Sequence, residues 1–162
     1  MASREYYIDY LKKTDRFPRS VYHRAKHEKV REIFERLPRG SSVLDAGCGI
    51  GNVTDRYCSE YKVAGIDEQP SAIQYCRRFC GGDYKESSLY DIPFADNTFD
   101  VVFFLDAIEH LTQPERALGE LARVLKVGGS ILVCTINYAN PLWFILENTW
   151  HRFFGGGCKT YS

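Results

Sequence analysis

The chain predicts an α/β fold: a doubly wound, mostly parallel sheet in three layers, with helices on both faces. Three observations carry that expectation. Short apolar runs alternate with helix-length segments, and the strongest run, Asp100 to Leu105, is unbroken, as suits a central strand covered on both sides. The connections are short and punctuated by Gly and Pro, which leaves parallel pairing through right-handed crossovers. The chain has 162 residues, 44% of them hydrophobic and 26% charged, the size and composition of one globular domain.

The elements follow in order. Val30, Ile33, Phe34 and Leu37 recur at helical spacing, predicting a helix over 20–37 with Ser20 as its cap and Pro38 and Gly40 as its stop. Val43-Leu44 reads as a buried strand ending in a glycine-rich turn at 47–51, with a helix through about Glu60. Val63 to Ile66 is a second strand ending at Asp67. Pro70 opens a helix that reaches Cys80 and stops at Gly81-Gly82. A weaker strand lies at 84–88, and the strong one follows at 100–105. Pro114 starts a helix with Ala117, Leu118, Leu121, Ala122 and Leu125 on one face; Gly128-Gly129 is expected to end it, before a fifth strand at 131–136. Residues 141–154 are aromatic-rich and of helix length, readable either as a core helix or as a pocket cover built on Trp143, Phe144, Trp150 and Phe154. We read one domain over 1–162: a basic helical cap at 1–40, a core at 41–137, and an aromatic segment at 138–162.

Charge and cysteine usage narrow the function classes. Lys plus Arg and Asp plus Glu both number 21, so affinity that rests mainly on neutralising phosphates is disfavoured. The balance is uneven: residues 1–40 carry a net +5 and the remainder a net −5. Two readings stand, a basic helix packed on an acidic body or a basic arm for an anionic substrate or membrane face. The six cysteines form no CxxC pair and no zinc-finger spacing. With no signal-peptide pattern at the start, they read as reduced thiols of a cytoplasmic protein. No apolar run approaches the roughly 20 residues of a membrane span.

Chemistry concentrates at strand ends. Asp45, Gly47, Gly49 and Gly51 form a D-x-G-x-G-x-G turn between a strand and a helix, where glycines let backbone approach a ligand and a helix start offers free N–H groups. Residue 52 is Asn where a dinucleotide fingerprint has its third glycine. Asp45 would repel a pyrophosphate but suits a ligand bearing an ammonium. Asp67, at the end of the second strand, can accept hydrogen bonds from ribose hydroxyls. Asp91, just before the fourth strand, can meet a purine edge.

These segments resemble the class I methyltransferases that use S-adenosylmethionine, of the type 11 and ubiquinone-pathway O-methyltransferase kind. VLDAGCGIG is similar to their first motif and VAGID to their second. LYDIPFADNTFDVVFFLDAIEHL is similar to the acidic loop and fourth strand, and LARVLKVGGSILV to the segment entering the fifth. All four keep one register over roughly 42–137. The resemblance implies a Rossmann-like sheet and S-adenosyl-L-methionine as cofactor, with S-adenosyl-L-homocysteine as product. It implies that Asp45, Ala46, Gly47, Cys48 and Gly49 line the methionine moiety, that Asp67 and Glu68 hold the ribose, and that Tyr90 and Asp91 lie at the adenine. Leu105 would stand near the sulfur, and Arg24 would approach the cofactor carboxylate. Val127 stands where that family usually has Pro. The family also adds two strands after the fifth, so the chain is expected to be C-terminally short and to present an open sheet edge, a route to a homodimer.

Methyl transfer needs alignment, plus a base if the acceptor loses a proton. Asp106-Ala-Ile-Glu109-His110 follows the fourth strand, and His110 is the natural base, with Glu109 beside it. The D-x-x-E-H pattern is similar to an E-x-x-E-H arrangement linked to a divalent metal in ubiquinone-pathway enzymes, so whether a metal binds is left open. The expectation is a small-molecule acceptor, apolar or aromatic, methylated on oxygen. An RNA methyltransferase and a non-catalytic cofactor-binding protein are the alternatives.

Overall fold

The computed structural model describes residues 19–135. The expected cover at 141–154 and the part of the basic cap before Arg19 lie outside them. The elements are α1 (Arg19–Arg36), β1 (Ser42–Ala46), β2 (Lys62–Asp67), α2 (Pro70–Phe79), β3 (Asp83–Glu86), β4 (Phe99–Leu105), α3 (Pro114–Val124) and β5 (Leu125–Cys134). All four strand pairings are parallel, in the order β3-β2-β1-β4-β5. The order reverses between β1 and β4, which opens a crevice beyond their carboxyl ends.

The period of two along the strands sorts side chains between two cores. Val43, Val101, Phe103 and Leu105 face α1 and meet its Val30 and Phe34. Leu44, Ala46, Val102 and Phe104 face the other way and meet Ala117, Leu121 and Val124 of α3. Phe34 is the hub of the first core. Its ring stacks on Tyr57 at 3.8 Å and lies 5.3 Å from Phe103, while the Tyr61 hydroxyl donates to its carbonyl at 2.6 Å. Tyr84, in register with Gly65, packs on Ile73 and Cys76 of α2. Gly65 is required there, because a Cβ would sit 2.6 Å from the Tyr84 ring.

Three expectations need correction. The helix expected after the glycine turn is only a single 3-10 turn, Asp55–Tyr57. Bonds to other parts of the chain hold this segment instead: the buried Thr54 hydroxyl donates to Asp45, and the Asp55 carboxylate accepts from the Gly81 amide at 2.9 Å. Second, Gly128-Gly129 does not end α3. The helix stops at Val124, Leu125 is already extended, and β5 begins there. The two glycines instead serve an irregularity in the β4–β5 register, where Gly128 has φ +80° and a Cβ on Gly129 would meet the Asp100 carbonyl at 2.9 Å. Third, Ser20 lies inside α1 rather than capping it. Among the described residues no helix is long and apolar enough to cross a membrane.

Candidate active site

A cavity of about 360 Å³ opens beyond the ends of β1, β2 and β4, at the point where the strand order reverses. Asp45, Gly47, Cys48, Gly49, Asp67, Leu105 and His110, all expected from the sequence, line it.

The glycine turn is closed by its own hydrogen bonds. The amides of Gly47 and Cys48 both donate to the Ile66 carbonyl at 2.9 Å, and Gly51 donates to Cys48. Gly49 donates to Asp67 at 2.8 Å, while the other Asp67 oxygen accepts from the Gln69 amide at 2.9 Å. These four amides are thus engaged, and no α-helix follows to present the expected helix start. Gly47 has φ +77°, and a Cβ on it would meet that of Ala107 at 3.0 Å, so its position admits little but glycine.

Asp45 lies beneath this turn, fully buried, with its carboxylate accepting from Thr54 Oγ1 at 2.6 Å. Burial lifts its pKa from the usual 3.8 to about 6, against the opposing pull of Thr54 and Lys26. The cavity lining holds three acidic side chains, Asp45, Asp67 and Asp106, against one lysine, Lys26. A cationic ligand suits that balance.

The far side belongs to α1 and the turn after β4. Lys26, only 7% exposed, lies 2.5 Å from Asp106 Oδ2, and the Tyr22 hydroxyl donates to Asp106 Oδ1. Burial, then the Asp106 carboxylate, hold the Tyr22 hydroxyl well above its usual range. Asp106 itself adopts φ +53°, a left-handed conformation tolerated mainly by Gly, Asn and Asp. Glu109 accepts from Thr135 Oγ1 at 2.8 Å. Among the described residues no group of His, Cys, Asp and Glu converges as a metal site, and Asp106 and Glu109 are engaged in different directions.

The remaining expected residues stand outside the cavity lining. Ala46 is in the core. Glu68 accepts from Ser88 Oγ at 2.6 Å, Tyr90 accepts from the Gln113 amide at 3.2 Å, and Asp91 is exposed. Glu120 and Arg123 of α3 brace this loop from behind: Arg123 donates to the carbonyls of Ile92 and Phe94, and Glu120 accepts from the Ile92 amide. Arg24 is exposed and not in the lining; the cation there is Lys26, two residues on. Sequence reasoning missed Lys26. Its place on the inner face, four residues before Val30, was a readable signal.

A family model described as a methyltransferase domain matches residues 44–133. The chain belongs to the methyltransferase domain family. It is 33% identical over 114 residues to a Mycolicibacterium smegmatis protein named "Probable S-adenosylmethionine-dependent methyltransferase", covering 69% of this chain and 44% of that one. It is 31% identical over 137 residues to sterol 24-C-methyltransferase erg6 of Schizosaccharomyces pombe, covering 78% and 35%. The crystal structure of the cyclase SpnF is similar with a TM-score of 0.60 at 26% identity, over 68% of this chain and 44% of that one. The chain thus spans less than half the length of these relatives. The family implies S-adenosylmethionine as cofactor, and the residues fit it: a glycine turn with no room for side chains at Gly47, an acid at the end of β2, and a net negative cavity for a sulfonium.

Proposed function

We propose that this domain transfers a methyl group from S-adenosylmethionine to an oxygen of a small, neutral, apolar or aromatic acceptor. The observation that carries the reading is the cavity itself, acidic along β1 and β2 and bounded across from them by Leu105 and His110. Bound there, the cofactor supplies an electrophilic methyl carbon. Asp67 would hold the ribose hydroxyls while keeping the glycine turn closed through Gly49. Asp45 would face the amino end of the methionine moiety. Glu68, Tyr90 and Asp91 would flank the adenine on the loop that Arg123 braces. His110 would accept the proton of the acceptor hydroxyl. Asp106 is already neutralised by Lys26, so the acceptor end offers little uncompensated charge, which favours a neutral acceptor. A homodimer through β5 belongs to the same reading, supported by Val127, Ile131 and Val133 exposed along it at 98, 40 and 41%.

A carbon acceptor is the second reading, favoured by the similarity to a sterol 24-C-methyltransferase. The test begins with calorimetric titration of S-adenosylhomocysteine into wild-type protein and Asp67→Ala. Wild type should bind, and the variant should lose about 10- to 100-fold, the effect of removing hydrogen bonds to a charged group. Because the same fold includes a cyclase, methyl transfer is then read directly, from methyl-labelled cofactor to phenol, short-chain alcohol and sterol acceptors, with the labelled atom of each product identified. Transfer to a hydroxyl oxygen that collapses in His110→Ala, with cofactor affinity kept, supports the oxygen reading. Labelling of a sterol carbon alone replaces it with the carbon reading, and no transfer to any acceptor rejects both.

A further inference from the structure

Two of the three polar residues of D-x-x-E-H have separate, distant side-chain partners. Asp106 is held by Tyr22 and Lys26 of α1, across sequence separations of 84 and 80 residues. Glu109 is held by Thr135, just beyond β5. His110 lines the cavity beside Asp106. The turn that carries it is therefore fastened at two points, on one side to α1 and on the other to the end of β5.

We infer that Asp106 is a positioning residue: its carboxylate latches α1 over the cavity and sets the 106–110 turn that presents His110. This rests on the methyltransferase reading only for its catalytic consequence. The latch itself stands on geometry. Lys26 is buried, so its ammonium needs a partner, and Asp106 Oδ2 supplies one. The left-handed backbone at 106 aims the carboxylate back toward α1, while the Asp106 amide remains bonded to the Cys134 carbonyl at 2.8 Å. Such strain persists where surrounding contacts over-determine it, and here they come from α1 and β5 together. A divalent ion or a cationic acceptor group at Asp106 would have to displace Lys26.

Two measurements test the latch. In ligand-free protein, amide exchange across 106–111 should accelerate about tenfold in Tyr22→Phe and in Lys26→Met, although both changes lie on another element. Asp106→Asn, which tolerates the same φ, should match them, and the Tyr22→Phe/Asp106→Asn double variant should be no worse than Asp106→Asn alone. Arg31→Ala, exposed on α1, is the control and should leave the turn unchanged. The second measurement is stopped-flow dissociation of S-adenosylhomocysteine, expected to be several-fold faster in the same variants. If Lys26→Met fails to fold, Tyr22→Phe carries the test by removing one hydroxyl. Wild-type exchange at 106–111 in both Tyr22→Phe and Asp106→Asn overturns the latch. Absence of S-adenosylhomocysteine binding by wild type rejects the proposed function, while the exchange result still decides the latch.

Discussion

The two sides of the cavity are built differently. The side along β1 and β2 is made by residues close in sequence: the 45–51 turn, Asp67 and Gln69, joined by backbone amides and one carboxylate. The opposite side is made by α1, the turn after β4 and the end of β5, which meet only in the folded chain. The first is a short-range motif with little freedom in its residue types. The second is an assembly of side chains, and its composition can vary while the cofactor side stays the same. That difference matches a family whose members share a donor and differ in acceptor, a sterol 24-C-methyltransferase being one relative.

Removing the anchor of the α1 side should have the largest effect. Phe34→Ala empties the hub beneath α1 and is expected to cost about 3–5 kcal/mol, read by chemical denaturation, with the 45–51 turn the last part to lose protection. On the cofactor side, Gly65→Ala drives a methyl into the Tyr84 ring and should cost about 1–3 kcal/mol, lowering Tm and loosening Cys48, which a Cβ there would also approach at 3.0 Å. Asp45→Asn should act through charge. A carboxyl whose folded pKa is raised to about 6 costs stability when ionised, fully above pH 6, and that cost fades as pH falls toward its unfolded value. The variant should therefore melt higher than wild type at pH 7 by the equivalent of about 1–3 kcal/mol and show no advantage near pH 4. In wild type, affinity for a cationic ligand should decline as pH falls through 6, a trend absent from the variant. Smallest of all, Arg31→Ala removes exposed pairs with Glu28 and Glu35 and should change stability by less than about 0.5 kcal/mol.

The same division decides what could be read from the sequence. The succession of strands and the 45–51 turn were legible because apolar runs, Gly and Pro mark them locally. Residues 51–60 hold a single 3-10 turn rather than a helix, tied through Thr54 to Asp45 and through Asp55 to Gly81, bonds outside the segment that periodicity does not display. The start of β5 was misplaced because Gly128-Gly129, a plausible helix stop, instead serves a register irregularity against Asp100. Lys26 and Asp106 form a pair whose members lie 80 residues apart, so the sequence marks Asp106 only as part of D-x-x-E-H and does not mark Lys26 as its partner. Lys26, not Arg24, lies on the inner face of α1.

The reversal of strand order has a consequence for how the chain reaches this state. β1 pairs with β2 across a short crossover, but its pairing with β4 must wait for a long loop to close, as the bond between Ser42 and Asp100, 58 residues apart, makes plain. Loop closure over that span is entropically costly before any contact rewards it, and such pairings slow folding. The glycine turn can thus be shaped while β4 is still searching for its place, leaving the His110 side as the final piece to dock and, by the same reasoning, the first to come undone.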